Sequence, residues 1–146
     1  MTHTSRRAEI TDIPAMVRVQ KHDGFPHQYY LTEERLQRLF DRGERFFVIE
    51  HGGKVVGFGS VDCEIRAQVH FICVDRAYSG KGVGRRLMQL CIQKAGRSGC
   101  KRACSFVETN SSKEPFLMKM GFHQVGFYKD RYGNGVDASI WEISLG

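Results

Sequence analysis

Val74-Asp75-Arg76-Ala77-Tyr78-Ser79-Gly80-Lys81-Gly82-Val83-Gly84-Arg85-Arg86-Leu87-Met88 joins an apolar run to a basic, amphipathic segment through glycines at alternate positions. Glycine lets backbone N–H groups come close to a ligand, and a helix N-terminus favours an anion. A strand, a glycine loop and a helix in that order predict a site for a phosphorylated ligand. Lys81, Arg85 and Arg86 add positive charge around it. Two common phosphate patterns fail here. A Walker-type loop needs glycine where Asp75 stands and Ser or Thr where Gly82 stands. The dinucleotide spacing Gly-x-Gly-x-x-Gly reaches Arg85 from Gly80 and Leu87 from Gly82, so it fails from both starts.

Working outward, Gln68–Val74 reads as the strand that feeds the loop. Val69, Phe71 and Cys73 are expected on one face, with Gln68, His70, Ile72 and Val74 on the other. Downstream, Val83, Leu87, Leu90, Cys91 and Ala95 recur at helical spacing up to Gly99. Upstream, Arg45–Glu50 and Lys54–Val61 flank His51-Gly52-Gly53, a hairpin signal. Arg7–Ile10 is expected as a first strand. Asp12 is expected to cap a helix running to about Lys21, and Thr32 a second one ending near Gly43. His22–Tyr30 reads as a loop. Arg102–Val107 is expected as a strand, Ser111 with Glu114 as a capping box for a helix to Met120, and Phe122–Tyr128 and Val136–Leu145 as closing strands. The order β-α-α-β-β-β-α-β-α-β-β predicts an α/β fold, a mixed sheet with helices on its faces.

The 146 residues are expected to form a single domain, 1–146, with no repeat or linker to divide it. No apolar run is long enough to span a bilayer, and Met1–Arg7 carries no secretory pattern, so a cytoplasmic location is expected and a membrane partner is not. Five cysteines without a Cys-x-x-Cys pair read as reduced thiols, not as a metal site. The formal charge of +6 is spread along the chain, so a nucleic-acid partner has little support and a small polyanion suits it equally well.

Ile72-Cys73-Val74, Tyr78 and Gly80-Lys81-Gly82-Val83-Gly84-Arg85 with Leu87 resemble the acetyl-CoA signature of the GCN5-related N-acetyltransferase (GNAT) family. The family core, Gln/Arg-x-x-Gly-x-Gly/Ala, stands here as Ser79–Gly84, with Ser79 departing at its first position. Glu108–Phe122, ending Lys119-Met120-Gly121-Phe122, is similar to a later motif of the family. The element order matches over most of the chain. The resemblance implies a GNAT-like acyl-CoA N-acyltransferase fold. It also implies an enzyme that moves an acetyl group from acetyl-CoA, its co-substrate, to an amine by direct attack, with no metal. The backbone amides of Gly80, Lys81, Gly82, Val83, Gly84 and Arg85 would hold the CoA pyrophosphate. Ile72, Cys73 and Val74 would lie along the pantetheine arm, with N–H groups near Cys73 and Val74 polarising the thioester carbonyl. Asn110 would reach the arm, or it simply ends a strand before a helix.

Proton handling is less plain. Relatives use a Glu where Gln68 stands, and Gln cannot act as a base. His70 lies two residues along and suits a base near neutral pH, with a structural histidine as the alternative. Glu108 is the second candidate and a water chain the third. Relatives protonate the leaving thiolate with a Tyr where Leu117 stands, and Tyr128 would substitute only if the fold brings it near. The acceptor, a small-molecule amine or a protein or peptide amine, is expected between the loop bearing Phe25, His27, Tyr29 and Tyr30, the second helix and the hairpin around Tyr128–Asn134. Two other readings remain: a non-catalytic acetyl-CoA-binding or sensing module, and a basic nucleic-acid-binding domain. Dimers are common in the family, which leaves a homodimer open, though nothing in the sequence marks its interface.

Overall fold

The computed structural model describes residues 3–23, 31–64 and 66–146. The expected element order holds. β1 (Thr4–Arg7) leads through a 3-10 turn to α1 (Ile13–Asp23) and α2 (Glu33–Asp41). β2 (Arg45–His51), β3 (Lys54–Asp62) and β4 (Ala67–Val74) follow, then α3 (Val83–Arg97), β5 (Arg102–Glu108), α4 (Lys113–Lys119), β6 (His123–Tyr128) and β7 (Ala138–Ser144). The seven strands form one sheet in the order β1-β2-β3-β4-β5-β7-β6. Neighbours run antiparallel except β4 and β5, which the α3 crossover makes parallel. Among the described residues, no helix is long and apolar enough to cross a membrane.

Each face of the sheet buries one helical layer. Ile13, Met16 and Val19 of α1 and Leu36 of α2 pack on Phe46, Val48, Phe58 and Cys73. On the other face, Met88, Cys91 and Ala95 of α3 and Leu117 of α4 pack on Val61, Val69, Val107 and Trp141. α3 sits unusually close to the sheet because β3 offers it glycines. A Cβ added at Gly57 would lie 2.7 Å from Val83 Cγ1, and one at Gly59 2.9 Å from Ile72 Cδ1. The β2–β3 turn uses Gly52 and Gly53, both at positive φ, as a two-residue hairpin of this type requires.

Three local expectations are corrected. The first strand is Thr4–Arg7, not Arg7–Ile10: after Ala8 donates to the Phe46 carbonyl the chain turns away, and Ile10 lies exposed. The Asp12 carboxylate, expected to cap α1, instead closes that turn by accepting the Glu9 amide at 2.7 Å and gripping the Arg6 guanidinium with both oxygens at 2.8 Å. α4 begins at Lys113 with no side-chain cap from Ser111, because Glu114 is held instead by the Asn110 amide and the Ser139 hydroxyl.

The third correction shapes the site. β4 does not alternate evenly, since Ser60 pairs with Phe71 but Val61 pairs with Val69, leaving His70 as an extra residue. This bulge moves Val69 to the α3 face, whereas Phe71 and Cys73 face α1 and α2. Even alternation would have put all three together.

Arg6 holds the Asp12 carboxyl below the ordinary carboxylate value of 3.8. A carboxyl so depressed contributes stability above its unfolded pKa, and that contribution is lost as pH falls through the folded value. Asp12→Ala is therefore expected to cost about 2 kcal/mol at pH 7, with two charged hydrogen bonds and the Glu9 amide left short of an acceptor. Urea unfolding of both proteins checks this, and the difference should shrink as pH drops below 3.8.

Candidate functional site

The glycine loop is built by short-range bonds. The Asp75 carboxylate accepts the Ala77 amide at 3.0 Å, and a 3-10 turn carries Arg76–Tyr78. The Ser79 hydroxyl donates to the Arg76 carbonyl at 3.0 Å, so this departure from the family pattern serves the turn itself. Gly80 and Gly82 take φ of +72° and +82°, and Gly82 is the N-cap of α3. These left-handed positions favour glycine. The first bond closing the helix runs from the Arg86 amide to the Gly82 carbonyl, so the amides of Val83, Gly84 and Arg85 point out of the helix unspent by it. Lys81, Arg85 and Arg86 are exposed beside them. Amides, helix dipole and three cations together make a cradle for a polyanion.

Gly84 lies directly above an apolar slot. A Cβ placed on it would be 3.6 Å from Phe116 Cε1, 3.6 Å from Val74 Cγ2 and 3.7 Å from Ile72 Cγ2, ordinary contact. Below this slot β4 and β5 part, because their ladder covers only Ala67–Val69 against Ala103–Ser105. The Asp75 amide bonds to the Val56 carbonyl of β3, and by antiparallel alternation the backbone groups of Cys73 and Phe71 also face β3. The Cys73 N–H, expected beside the thioester carbonyl, is thus turned to β3 instead, whereas Ile72 and Val74 turn their backbone groups to the opening. Two charged side chains meet them there. Lys113 Nζ of α4 donates to the Ile72 carbonyl at 2.9 Å. Asp23 at the end of α1 accepts the Val74 amide, and burial raises its carboxyl while Lys113 and that amide oppose the rise.

At the inner end of the opening stands His70, one residue past the last β4–β5 rung and 27% exposed in its side chain. The bulge turns it toward the α1 and α2 face, where its Nδ1 lies 2.7 and 2.9 Å from the two oxygens of Glu44. Ser60 Oγ donates to the same carboxylate at 2.5 Å. Glu44, only 4% exposed, sits between α2 and β2, held by its amide on the Leu39 carbonyl.

The other predicted residues lie apart from this pair. Glu108 is exposed at the end of β5. Tyr128 is half-exposed on β6, its ring 6.5 Å from Phe106, with Arg131 stacked 4.4 Å above the Phe106 ring. Among the described residues, no hydrogen bond or ion pair links Glu108 or Tyr128 to His70. Asn110 takes φ of +65°, and its amide is bound by Glu114, which accounts for an asparagine at this turn. Leu117 is a core residue with no proton to give. Cys73 is fully buried and its thiol is pushed up to about 12, which removes it as a nucleophile. Phe25, His27, Tyr29 and Tyr30 lie outside the described residues.

Sequence reading missed Glu44, Ser60, Lys113 and Asp23. Glu44 lies 26 positions from His70, and nothing in its neighbours marks it. Lys113 was in view within the second motif, but its reach to β4 depends on the splayed strands.

The chain is 30% identical over 139 residues to an uncharacterized N-acetyltransferase of Methanocaldococcus jannaschii, covering 84% of this chain and 62% of that protein. It therefore spans less than two thirds of that relative. Its fold is that of Ard1 from Thermoplasma volcanium (TM-score 0.89, 22% identity, 99% and 98% of the two chains covered). The same fold is found in yncA from Salmonella typhimurium, solved with its cofactor acetyl-CoA (TM-score 0.80, 22% identity, 100% and 95% covered). The sequence pattern of the acetyltransferase (GNAT) family matches residues 11–122, from the 3-10 turn before α1 to Phe122 after α4. That span takes in the glycine loop, the slot and the His70 bulge, and the chain belongs to the acetyltransferase (GNAT) family.

Proposed function

We propose that the protein is an acetyl-CoA-dependent N-acetyltransferase that acts on a primary amine by direct attack. The observation that carries this is one continuous path. Unspent amides at Val83–Arg85 lead over the Gly84 slot to the β4–β5 opening, and His70 stands at its inner end. The residues present fit acetyl-CoA. Gly80 to Arg85 form the cradle for its pyrophosphate, and Ile72 and Val74 offer a carbonyl and an amide to its arm once Lys113 and Asp23 swing off them. Bound there, acetyl-CoA supplies an activated acyl carbon, and the amine's C–N bond forms as the C–S bond breaks.

The chain's own part is to align amine and acyl carbon and to take up the proton. His70 is the base we assign, because it is the part-exposed titratable side chain at the inner end of the opening. Glu108, at the outer end of β5, is the reserve. The leaving thiolate takes its proton from water or from a phenol beside β5, where the Tyr128 ring lies 6.5 Å from Phe106 and the Tyr132 hydroxyl donates to the Phe106 carbonyl at 3.4 Å. The buried thiol of Cys73 supports direct attack over an acyl-enzyme.

Calorimetric titration with acetyl-CoA, followed by a thiol-release assay across an amine panel, tests the reading. Binding with no turnover on any amine would leave a sensing module in its place. Gly84→Val is expected to weaken acetyl-CoA binding roughly 30-fold, equivalent to about 2 kcal/mol. Its Cβ is tolerated but its branch fills the slot. Gly84 does not take a positive φ, so the backbone accepts the change, and a urea midpoint measured in parallel separates the cost of the added methyl groups from the loss of binding.

A further inference from the structure

Glu44 is a nearly buried carboxylate to which no Lys or Arg is paired among the described residues. Its hydrogen-bonding partners among the described residues are the imidazole of His70 and the hydroxyl of Ser60. Removing a carboxylate from water is costly unless a partner compensates, and a hydroxyl alone does so poorly. His70 is the compensating group, and the bulge in β4 is what delivers it. Without the extra residue at that step, His70 would face α3 and Glu44 would be stranded. Both carboxylate oxygens converge on Nδ1, the geometry of a carboxylate that accepts an Nδ1–H. That hydrogen bond sets the tautomer and leaves the Nε2 lone pair available.

We propose that Glu44 is the positioning residue of His70. It keeps Nδ1 protonated, aims Nε2 at the acceptor amine, and stabilises the imidazolium formed when the amine proton transfers to Nε2. This rests on the assignment of His70 as base. Ser60 fixes the second carboxylate oxygen and so the plane in which the imidazole is held. Among the described residues, Arg7 and Glu9 line with Glu44 a cavity of about 390 Å³ beside Phe40 and Phe46. Behind the sheet, burial above all raises the Cys91 thiol.

Glu44→Gln preserves shape and can still accept from Ser60, so it isolates the charge. Its kcat should fall on the order of 100-fold with the KM for acetyl-CoA unchanged, and the acid limb of the kcat profile should move to lower pH. In a His70→Ala background the same substitution should cost nothing further. Nitrogen-15 spectra of labelled histidine supply a readout independent of turnover. Neutral His70 should be the Nδ1–H tautomer in the parent protein and lose that preference in Glu44→Gln. An Nε2–H tautomer in the parent, a full kcat in Glu44→Gln, or an additive loss in the double variant would each overturn the proposal. Full activity in His70→Ala alone is a different failure, because it removes the base assignment whatever Glu44 does.

Discussion

His70→Ala is expected to lower kcat by about 10²- to 10⁴-fold, the range that a positioned general base contributes, while the Kd for acetyl-CoA should stay within error of the parent. The split is expected because the two tasks sit at opposite ends of one opening. The cradle is made of backbone amides at Val83, Gly84 and Arg85, whereas the side-chain hydrogen bonds of His70 go to Glu44 on the other face of the sheet. The imidazole stands past the last β4–β5 rung, held by Glu44 at 2.7 Å. Thiol release against pH, with calorimetric binding in parallel, measures both. The limb of the profile that reports the base should vanish, and an unaltered pH–rate profile in His70→Ala would sink the assignment. Glu108→Gln, measured alongside, should change kcat little, since its carboxylate is exposed at the far end of β5.

Gly57→Val is expected to cost about 3 kcal/mol or more, the largest stability loss of any single change considered. Its Cβ alone would meet Val83 Cγ1 at 2.7 Å, the Cys73 carbonyl at 3.2 Å and Leu87 Cδ1 at 3.2 Å. One of these atoms is backbone, so rotamer changes cannot clear the site. Relief requires α3 to lift at its first turn, where the cradle amides are. Acetyl-CoA affinity should therefore fall along with the urea midpoint. Gly96→Ala in the same helix is the control. Nothing lies within 4 Å of its added Cβ, and a gain of roughly 0.5–1 kcal/mol is expected from helix propensity and the unfolded chain. A Gly57→Val protein with parental stability would mean that β3 and α3 do not pack as described.

Much of this architecture could be read from one sequence because its signals are local. The hydrophobic periods of α3 and of the β2–β3 hairpin, the turn glycines and the Thr32 cap each involve residues a few positions apart. The Thr32 hydroxyl does accept the Arg35 amide at 3.1 Å. The end of the first strand is only partly a local matter. Where it ends is set by the Arg6 grip on Asp12 and by a second contact from Arg6 to Glu50 on β2. The Ser111 cap failed likewise, since Ser139 on β7 helps to hold Glu114.

By itself, the sequence determined the order of elements, the family and the strand–loop–helix cradle, since left-handed glycines and unspent helix amides follow from neighbouring residues. Which face each β4 side chain takes was decided only in the folded sheet. Alternation along a strand is a property of that strand, whereas a bulge is a mismatch in residue count against its partner, here at Ser60 and Val61 opposite Val69 and Phe71. The same mismatch brings His70 to a carboxylate 26 positions away. The ligand class we propose is thus written in contiguous residues, and the proton chemistry we propose in contacts that exist only once β2, β3 and β4 lie side by side.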